Sequence, residues 1–176
     1  METFAETLSQ SCVRRSAPVI FVMLGTNPYP FERLLAAVDC WAAGSGEKVV
    51  AQVGHTTMPV DHVECHDFVS HDRIREWIDA AEVVITQGGF GSLRDCLVAG
   101  KPTIAVPRLP ERGECQDQQA EIVDALAAEE RVIALYDVDL LPQAIEAARQ
   151  RRVVSPYRSN IPAIVAEAVE SALHPK

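Results

Sequence analysis

A glycine-rich turn between an apolar run and a helical pattern is the feature that most constrains how this chain can fold. The apolar run 82–85 passes directly into the sequence TQGGFGS at 86–92, and a helical pattern continues over 92–99. In α/β proteins such a strand–turn–helix unit holds phosphate, because backbone N–H groups and the positive end of the helix dipole face the ligand. Glycine lets the ligand approach the backbone closely. The turn therefore predicts a site for a nucleotide-type ligand.

Hydrophobic periodicity along the rest of the chain alternates between strand and helix. Apolar, β-rich runs occur at 19–24, 48–53, 62–68, 82–86, 103–106 and 131–135. Helical patterns occur at 31–43, 72–80, 92–99, 117–128, 141–151 and 161–173. Because parallel strands need crossover helices, the alternation predicts an α/β fold with a Rossmann-like parallel sheet and helices on both faces. We expect one domain over 18–176, preceded by an N-terminal extension over 1–17.

Charge and cysteine content exclude several classes of protein. The net charge of −9 argues against a nucleic-acid-binding protein, because phosphate backbones select basic surfaces. The five cysteines are odd in number and contain no CxxC pair, which is typical of a reducing compartment. No apolar run approaches the roughly 18 residues needed to span a bilayer. Neither the histidines nor Asp137-Val138-Asp139 have a spacing that predicts a metal site.

Polar residues follow several predicted strands, at the sheet edge where ligands of α/β proteins bind. Gly25 and Thr26 follow the first strand, and Gln52 ends the second. A glycine there brings backbone near a phosphate or a sugar, although the Asn-Pro pair that follows is equally typical of an ordinary turn. His55 is a candidate base, whereas most isolated histidines have no such role.

The loop after the fifth predicted strand and the helix start behind it are also polar. Arg108 in this loop can meet a phosphate. Asp117 and Gln119 at the start of the helix can bind sugar hydroxyls. The alternative interpretation is a solvated loop in which Asp117 is the helix N-cap.

The glycine-rich turn does not match the common nucleotide-binding fingerprints. The sequence contains no GxGxxG and no Walker A motif, which excludes a dinucleotide site of that type and the P-loop NTPases. Ser92 and Asp95 have the spacing of a capping box, in which Ser92 caps the helix and Asp95 reaches back. A carboxylate at position 95 also suits a ribose diol, since it accepts two hydroxyl hydrogens. The spacing alone leaves both interpretations open.

Taken together, these segments resemble the C-terminal half of the GT-B glycosyltransferases of family 28. That half carries a strand, the pattern H-x-G-x-G-[ST]-x-x-E, a G-K-P segment, a V-P-R loop and a D-x-Q helix start. The matches lie over 18–150 and are Gly89, Gly91, Ser92, Asp95, Gly100-Lys101-Pro102, Val106-Pro107-Arg108, Asp117 and Gln119, with residues 21–26 and Gln52-x-Gly54 also fitting. Two positions depart from the pattern, because Gln87 stands in place of the histidine and Asp95 in place of the glutamate.

The resemblance implies one half of a GT-B fold that binds a UDP-sugar and transfers its sugar without a bound metal or cofactor. The glycine turn and Arg108 would hold the diphosphate, and Asp95 the ribose. Asp117 and Gln119 would hold the donor hexose, and His55 is the candidate catalytic base. The implied substrate-binding residues are Gly25, Thr26, Gln52, Gln87, Gly88, Gly89, Gly91, Ser92, Asp95, Arg108, Asp117 and Gln119.

Short relatives of this kind are catalytic subunits of split transferases, so the resemblance also implies a partner. A membrane-associated subunit would supply a lipid-linked saccharide acceptor and would hold this chain at the cytoplasmic face of the membrane. The pattern at 161–173 has an apolar stripe that fits either docking to that partner or packing on the sheet. Its members are Ile161, Val165, Ala168 and Val169. No nucleic acid is expected as a partner.

Several functions remain open at this point. The bacterial exopolysaccharide type of split transferase, which moves a hexosyl or hexuronosyl group, fits the Gln52-x-Gly54 segment and the Val106-Pro107-Arg108 loop best. The alternatives are the eukaryotic-type UDP-GlcNAc transferase subunit of lipid-linked oligosaccharide synthesis, a non-catalytic nucleotide-sugar-binding regulatory subunit, and a sugar epimerase of similar fold. The regulatory alternative rests on Gln87, because an amide donates hydrogen bonds but cannot titrate. The epimerase is the weakest, since epimerases generally need both halves in one chain.

Overall fold

Six parallel strands form the central sheet of the protein, whose structure, a computed structural model, describes residues 20–151. The strands are β1 (Ile20–Met23), β2 (Val49–Gln52), β3 (Val63–His66), β4 (Val83–Gln87), β5 (Thr103–Val106) and β6 (Ile133–Ala134). The predicted α/β fold is confirmed, although β3 and β6 are shorter than the apolar patterns at 62–68 and 131–135. The predicted extension over 1–17 and the predicted helix over 161–173 lie outside the described residues.

Helices cover the sheet. In the described part of the chain they are α1 (Glu32–Ser45), α2 (His71–Ala80), α3 (Phe90–Ala99), α4 (Gln119–Ala128) and α5 (Leu141–Gln150). Short 3₁₀ turns lie at Pro110–Arg112 and Val138–Leu140. Within these residues no helix is long and apolar enough to cross a membrane. The five predicted helices that fall within the described residues are thus confirmed, but α3 begins before the predicted Ser92 and α4 after the predicted Asp117.

The order of the strands decides where a ligand can bind. The order is β3-β2-β1-β4-β5-β6, with every neighbouring pair parallel. The chain therefore winds in one direction from β1 to β3 and in the other from β4 to β6. At such a reversal the loops after the two central strands lead to opposite faces, which opens a crevice at the carboxyl edge of the sheet. The reversal here lies between β1 and β4, directly beneath the glycine-rich turn.

Alternating side chains of each strand build a core on both faces of the sheet. In β1, Ile20 and Val22 belong to the hydrophobic cluster formed with α1 and α5, whereas Phe21 belongs to the cluster formed with α2. Leu93 of α3 and Val123 of α4 pack together on the same side as α2. Helices on both faces leave the strand ends as the accessible part of the sheet.

The Gly100-Lys101-Pro102 segment has a structural explanation. Gly100 ends α3 in the left-handed conformation, with φ of 66°. Lys101 then donates from Nζ to the backbone oxygens of Asp79 and Ala81, at 2.5 and 3.0 Å. These oxygens lie at the C-terminus of α2, where a cation is favoured by the helix dipole. The segment therefore fixes the end of α3 against the end of α2.

Candidate functional site

A cleft of about 400 Å³ opens at the reversal between β1 and β4. It is lined by the ends of β1, β2 and β4 and by the first residues of α2 and α3. The predicted site residues that the structure brings together there are Gly25, Thr26, Gln52, Gln87, Gly89, Gly91, Ser92 and Asp95. The cleft also contains residues that the sequence analysis did not single out, which are Met23, Phe68, Val69, His71, Ile74 and Phe90.

The N-terminus of α3 points into this cleft without a side-chain cap. Its N-cap is Gly89, which makes no side-chain hydrogen bond, and Ser92 lies inside the first turn. The capping-box interpretation of Ser92 and Asp95 is therefore wrong. An uncapped helix start leaves backbone N–H groups without intrahelical partners, and those groups together with the helix dipole favour an anion.

Asp95 faces His71 across the cleft. His71, the first residue of α2, has its Nε2 atom 3.0 Å from Oδ2 of Asp95. Arg94 lies 3.4 Å from the other carboxylate oxygen. The sequence analysis missed His71 because its partner is on another helix, and no local spacing connects the two positions. The contact holds the Asp95 carboxylate on the cleft side of α3.

Gln52 connects three strand ends through its side-chain amide. Its Oε1 accepts from the N–H of Gly25 at 3.0 Å, and its Nε2 donates to the carbonyls of Gly25 and Asp67 at 3.0 and 2.9 Å. The residue is 4% exposed. Gln52 therefore borders the cleft as a brace between the loops after β1 and β3, with its polar atoms already bonded to backbone.

Arg108 requires a correction, because it does not face the cleft as the predicted diphosphate ligand. Its side chain is 1% exposed and lies over the ring of Phe31, at 4.4 Å from the guanidinium carbon. The guanidinium donates to Gln87 Oε1 at 2.6 Å and to Leu24 O at 2.9 Å. It also donates to the backbone oxygens of Tyr29, Pro30 and Glu114. Burial lowers the pKa of Arg108 to about 10, so it remains a cation at neutral pH.

Four other predicted residues lie away from the cleft lining. Gly88 leaves room for α4, since a methyl group there would come within 2.9 Å of Gln119 Cβ and Val123 Cγ2. Gln119 is 4% exposed, and its Oε1 accepts from the N–H of Arg108. Asp117 is exposed and makes a 3.4 Å contact with the Gln119 amide. His55 is exposed, with its ring 5.0 Å from that of Phe68 at the rim.

A buried ion pair anchors the loop that carries Arg108. Arg33 of α1 holds the Glu114 carboxylate with two bonds of 2.9 and 3.0 Å, and the N–H of Leu109 donates to the same carboxylate. Burial tends to raise the pKa of Glu114, but these hydrogen bonds and the charge of Arg33 outweigh it. The pKa of Glu114 therefore lies below its ordinary value of 4.5.

We expect Glu114→Gln to reduce the free energy of unfolding at pH 7 by about 2 kcal/mol, the scale of lost hydrogen bonds to a charged group. A carboxylate with a lowered native pKa stabilises the fold fully above its ordinary pKa and loses that effect as the pH falls through the native value. The glutamine of the variant does not titrate. When the pH is lowered from roughly 6 to roughly 3, the free energy of unfolding should therefore fall less in the variant than in the wild type. Urea unfolding at both pH values measures this, and Glu111→Gln on the exposed turn Pro110–Arg112 is the matched control. An equal deficit at both pH values would contradict the ion-pair explanation.

The Asp137-Val138-Asp139 segment lies outside the cleft lining and has a structural role. Asp137 Oδ1 accepts from the N–H of Asp139 at 3.1 Å and caps the 3₁₀ turn Val138–Leu140. Across residues 20–151, no group of three or more histidine, cysteine or acidic side chains is placed to hold a metal ion. Positive charge near the cleft is available from the uncapped start of α3, from Arg94 beside Asp95, and from the buried Arg108 at a distance.

Comparisons with known proteins agree with this geometry. The NDP-glycosyltransferase YjiC of Bacillus licheniformis is 33% identical over 100 residues, which are 54% of this chain and 25% of that protein. The calicheamicin glycosyltransferase CalG4 has a TM-score of 0.61 at 22% identity, covering 92% of this chain and 43% of that one. ALG13 has a TM-score of 0.56 at 19% identity, covering 90% of this chain and 98% of that one. At these identities the two solved structures show the fold alone.

The share of each relative's own length that this chain covers differs among the three proteins. The chain spans about a quarter of the curated relative and less than half of CalG4, but nearly all of ALG13. The family model of the glycosyltransferase family 28 C-terminal domain matches residues 19–168, which is most of the chain. With that match, the parallel sheet and the cleft at its reversal point, the chain belongs to the glycosyltransferase family 28 C-terminal domain family.

Proposed function

We propose that this chain is the donor-binding subunit of an inverting, two-subunit glycosyltransferase. It would move a hexosyl or hexuronosyl group from a UDP-sugar to a lipid-linked saccharide in exopolysaccharide biosynthesis. The proposal rests on one observation, which is that the uncapped N-terminus of α3 and the Asp95 carboxylate lie in the same cleft. Membership of a glycosyltransferase family supports the reaction class, and the following steps concern how the cleft would hold the donor.

The positions of the anion site and of Asp95 match the order of groups in a nucleoside diphosphate. The diphosphate would lie at the first turn of α3, where the backbone N–H groups are uncapped. Asp95 follows Ser92 by three residues, so it lies about one turn along the same face of the helix. A ribose attached to the diphosphate would reach it there, and a carboxylate accepts from both hydroxyls of a diol.

An aromatic side chain is available for the base at the same end of the cleft. Phe68 lies at the rim and is 54% exposed, so its ring is accessible for stacking against a planar group. We propose that the uracil ring packs on Phe68, close to His71 and Asp95. Phe68 and His71, two of the residues that the sequence analysis missed, would thus border the nucleoside part of the donor.

The described residues offer a site for the donor, and we propose that the acceptor is bound by another protein. The cleft is open, and the matched part of the chain corresponds to a quarter of the curated relative. Reaction requires donor and acceptor to be held together. We propose that a membrane-associated subunit supplies the acceptor and holds this chain peripherally at the cytoplasmic face. The docking role proposed for the 161–173 stripe concerns residues outside the described range.

Two other functions deserve a direct comparison. A UDP-GlcNAc transferase subunit would use the same cleft, and product analysis with defined donors separates it from the exopolysaccharide type. A non-catalytic regulatory subunit is favoured by Gln87, whose amide cannot act as an acid or base. The regulatory alternative would be excluded by two results together. The chain reconstituted with its partner should transfer sugar, and a change of Asp95 in this chain should abolish that transfer.

We expect UDP to raise the melting temperature of this protein, because a ligand that binds only the native state stabilises it by mass action. At a UDP concentration 100 times the Kd the stabilisation is about 2.7 kcal/mol, which corresponds to a shift of about 5–10 °C for a chain of this size. Asp95→Asn should abolish most of the shift and change the melting temperature of the free protein little, since its contacts are partly exposed. Differential scanning calorimetry measures both.

The controls for this experiment concern charge and metal. Asp79→Asn makes the same chemical change on the exposed end of α2 and should leave the UDP shift intact. Adding EDTA should also leave it intact, because the proposed site uses backbone N–H groups and no metal. Absence of any shift with millimolar UDP in the wild type would refute the nucleotide-sugar proposal, and a shift that requires Mg²⁺ or Mn²⁺ would refute the metal-free part.

A further inference from the structure

The side-chain amide of Gln87 is buried between the two glycines that border the anion site. Gln87 is the last residue of β4 and is 7% exposed. A methyl group on Gly25 would overlap its Nε2 atom, and one on Gly89 would lie 3.1 Å from it. None of the described residues accepts a hydrogen bond from Nε2, although Oε1 is bonded. A donor without a partner among the described residues, at the wall of the cleft, is available to a ligand atom that accepts from it.

The orientation of this amide is decided by Arg108. An amide group can usually be turned over, because its oxygen and nitrogen occupy similar positions. A guanidinium has only donors, so the atom that faces Arg108 Nε must be the amide oxygen. That contact is 2.6 Å long. Nε2 must then point away from Arg108, into the space between Gly25 and Gly89.

Arg108 is itself held rigidly, so the orientation cannot relax. Its Nη2 donates to Leu24 O at the end of β1, and its Nη1 donates to Tyr29 O and Glu114 O. The ring of Phe31 covers one face of the guanidinium. These acceptors come from the loops after β1 and β5, on either side of β4. The guanidinium therefore ties the amide to the two loops that flank the cleft.

We infer that Arg108 is a positioning residue that orients the Gln87 amide so that Nε2 donates to the diphosphate of the bound nucleotide. This inference rests on the proposed function, because it needs a diphosphate at the start of α3. The buried positive charge acts on the ligand through the amide dipole rather than by contact. It replaces the direct contact between Arg108 and the diphosphate that the sequence predicted.

The test changes one atom of the amide and keeps its shape. In Gln87→Glu both side-chain oxygens are hydrogen-bond acceptors. Arg108 therefore keeps an acceptor, and its hydrogen bond becomes charge-assisted. On the cleft side, a carboxylate oxygen replaces the N–H donor. We expect the affinity for UDP to fall by about 100-fold, the scale of a lost hydrogen bond to a charged group together with like-charge repulsion. The affinity for uridine, which has no diphosphate, should change less than threefold. The melting temperature of the free variant should not fall.

A second variant addresses Arg108 directly. Arg108→Lys keeps a cation but removes the Nε–H that fixes the amide, so UDP affinity should fall about tenfold while uridine affinity is unchanged. Gln118→Glu, at an exposed position before α4, repeats the charge change of Gln87→Glu away from the cleft and should leave UDP binding unaffected. Isothermal titration calorimetry with UDP and with uridine measures each variant whose circular dichroism spectrum is native.

The outcomes separate this inference from the proposed function. If the wild type does not bind UDP, the proposed function fails. If the wild type binds UDP and Gln87→Glu or Arg108→Lys binds it equally well, the positioning role is refuted. If either variant does not fold, nitrogen-15 NMR of the wild type decides. The Gln87 side-chain N–H₂ signals should shift with UDP and not with uridine, and signals that respond equally to both ligands would refute the inference.

Discussion

Arg108→Met should destabilise this protein by at least about 3 kcal/mol, the largest loss of stability that we expect from a single substitution here. Methionine has a similar length and fills the same space beneath the Phe31 ring, but it donates no hydrogen bonds. The oxygens of Leu24, Tyr29, Glu114 and Gln87 would then lose their donor. With Arg108 1% exposed, water cannot easily replace it. The melting temperature should fall by about 10 °C.

Chemical denaturation and calorimetry measure this loss directly. Arg75→Met, at an exposed position of α2, is the matched control and should change stability by less than about 0.5 kcal/mol. If Arg108→Met were as stable as the wild type, the buried guanidinium would have no structural role and the contacts around it would need another explanation. A loss confined to UDP binding, with stability unchanged, would instead favour the direct ligand contact predicted from the sequence.

The course of the chain was largely predictable from its sequence. Apolar β-rich runs separated by helical spacing leave few arrangements other than a parallel sheet with helices on both faces. The glycine turn after residues 82–85 also indicated where the cleft lies, because that turn follows a central strand. Element boundaries were less predictable. Ser92 has capping-box spacing, yet α3 begins at Phe90, and Leu93 in its first turn is buried in the core.

The contacts that decide the site were not predictable, because they join residues far apart in sequence. Arg108 looks like a surface arginine in a polar loop, and nothing near it reveals that its acceptors lie 84 and 79 positions earlier, at Leu24 and Tyr29. The partner of Asp95 is His71, 24 positions away on another helix. Local spacing predicts caps and turns, whereas such pairs depend on how the strands are ordered in the sheet.

The glycines in and near the cleft looked equally important in the sequence, but their surroundings in the structure differ. Gly88 leaves space for α4, and Gly25 leaves space for the Gln87 amide. At Gly91, by contrast, nothing of the described protein lies within 4 Å of an added methyl group. The fold itself therefore does not require glycine at position 91. Its presence at the start of α3 is explained if a ligand approaches the backbone there.

Gly25→Ala should eliminate UDP binding and also cost about 1–3 kcal/mol of stability. Gly25 has φ of 77°, a left-handed conformation that alanine adopts only with strain. The new methyl group would also occupy the position of Gln87 Nε2, so the amide would be displaced from the cleft wall. We expect a fall in UDP affinity of more than 100-fold, because the donor and the shape of the anion site are lost together.

Gly91→Ala is the informative comparison for this prediction. Alanine has the higher helix propensity, by up to about 1 kcal/mol, and meets no protein atom there, so the free variant should be as stable as the wild type or more so. Gly91 lines the cleft, so the added methyl group would narrow the space for a diphosphate at the first turn of α3 and lower UDP affinity. UDP binding would then be weakened in both variants, whereas stability would fall only in Gly25→Ala. A Gly91→Ala protein that binds UDP with normal affinity would contradict the proposed position of the diphosphate at the first turn of α3.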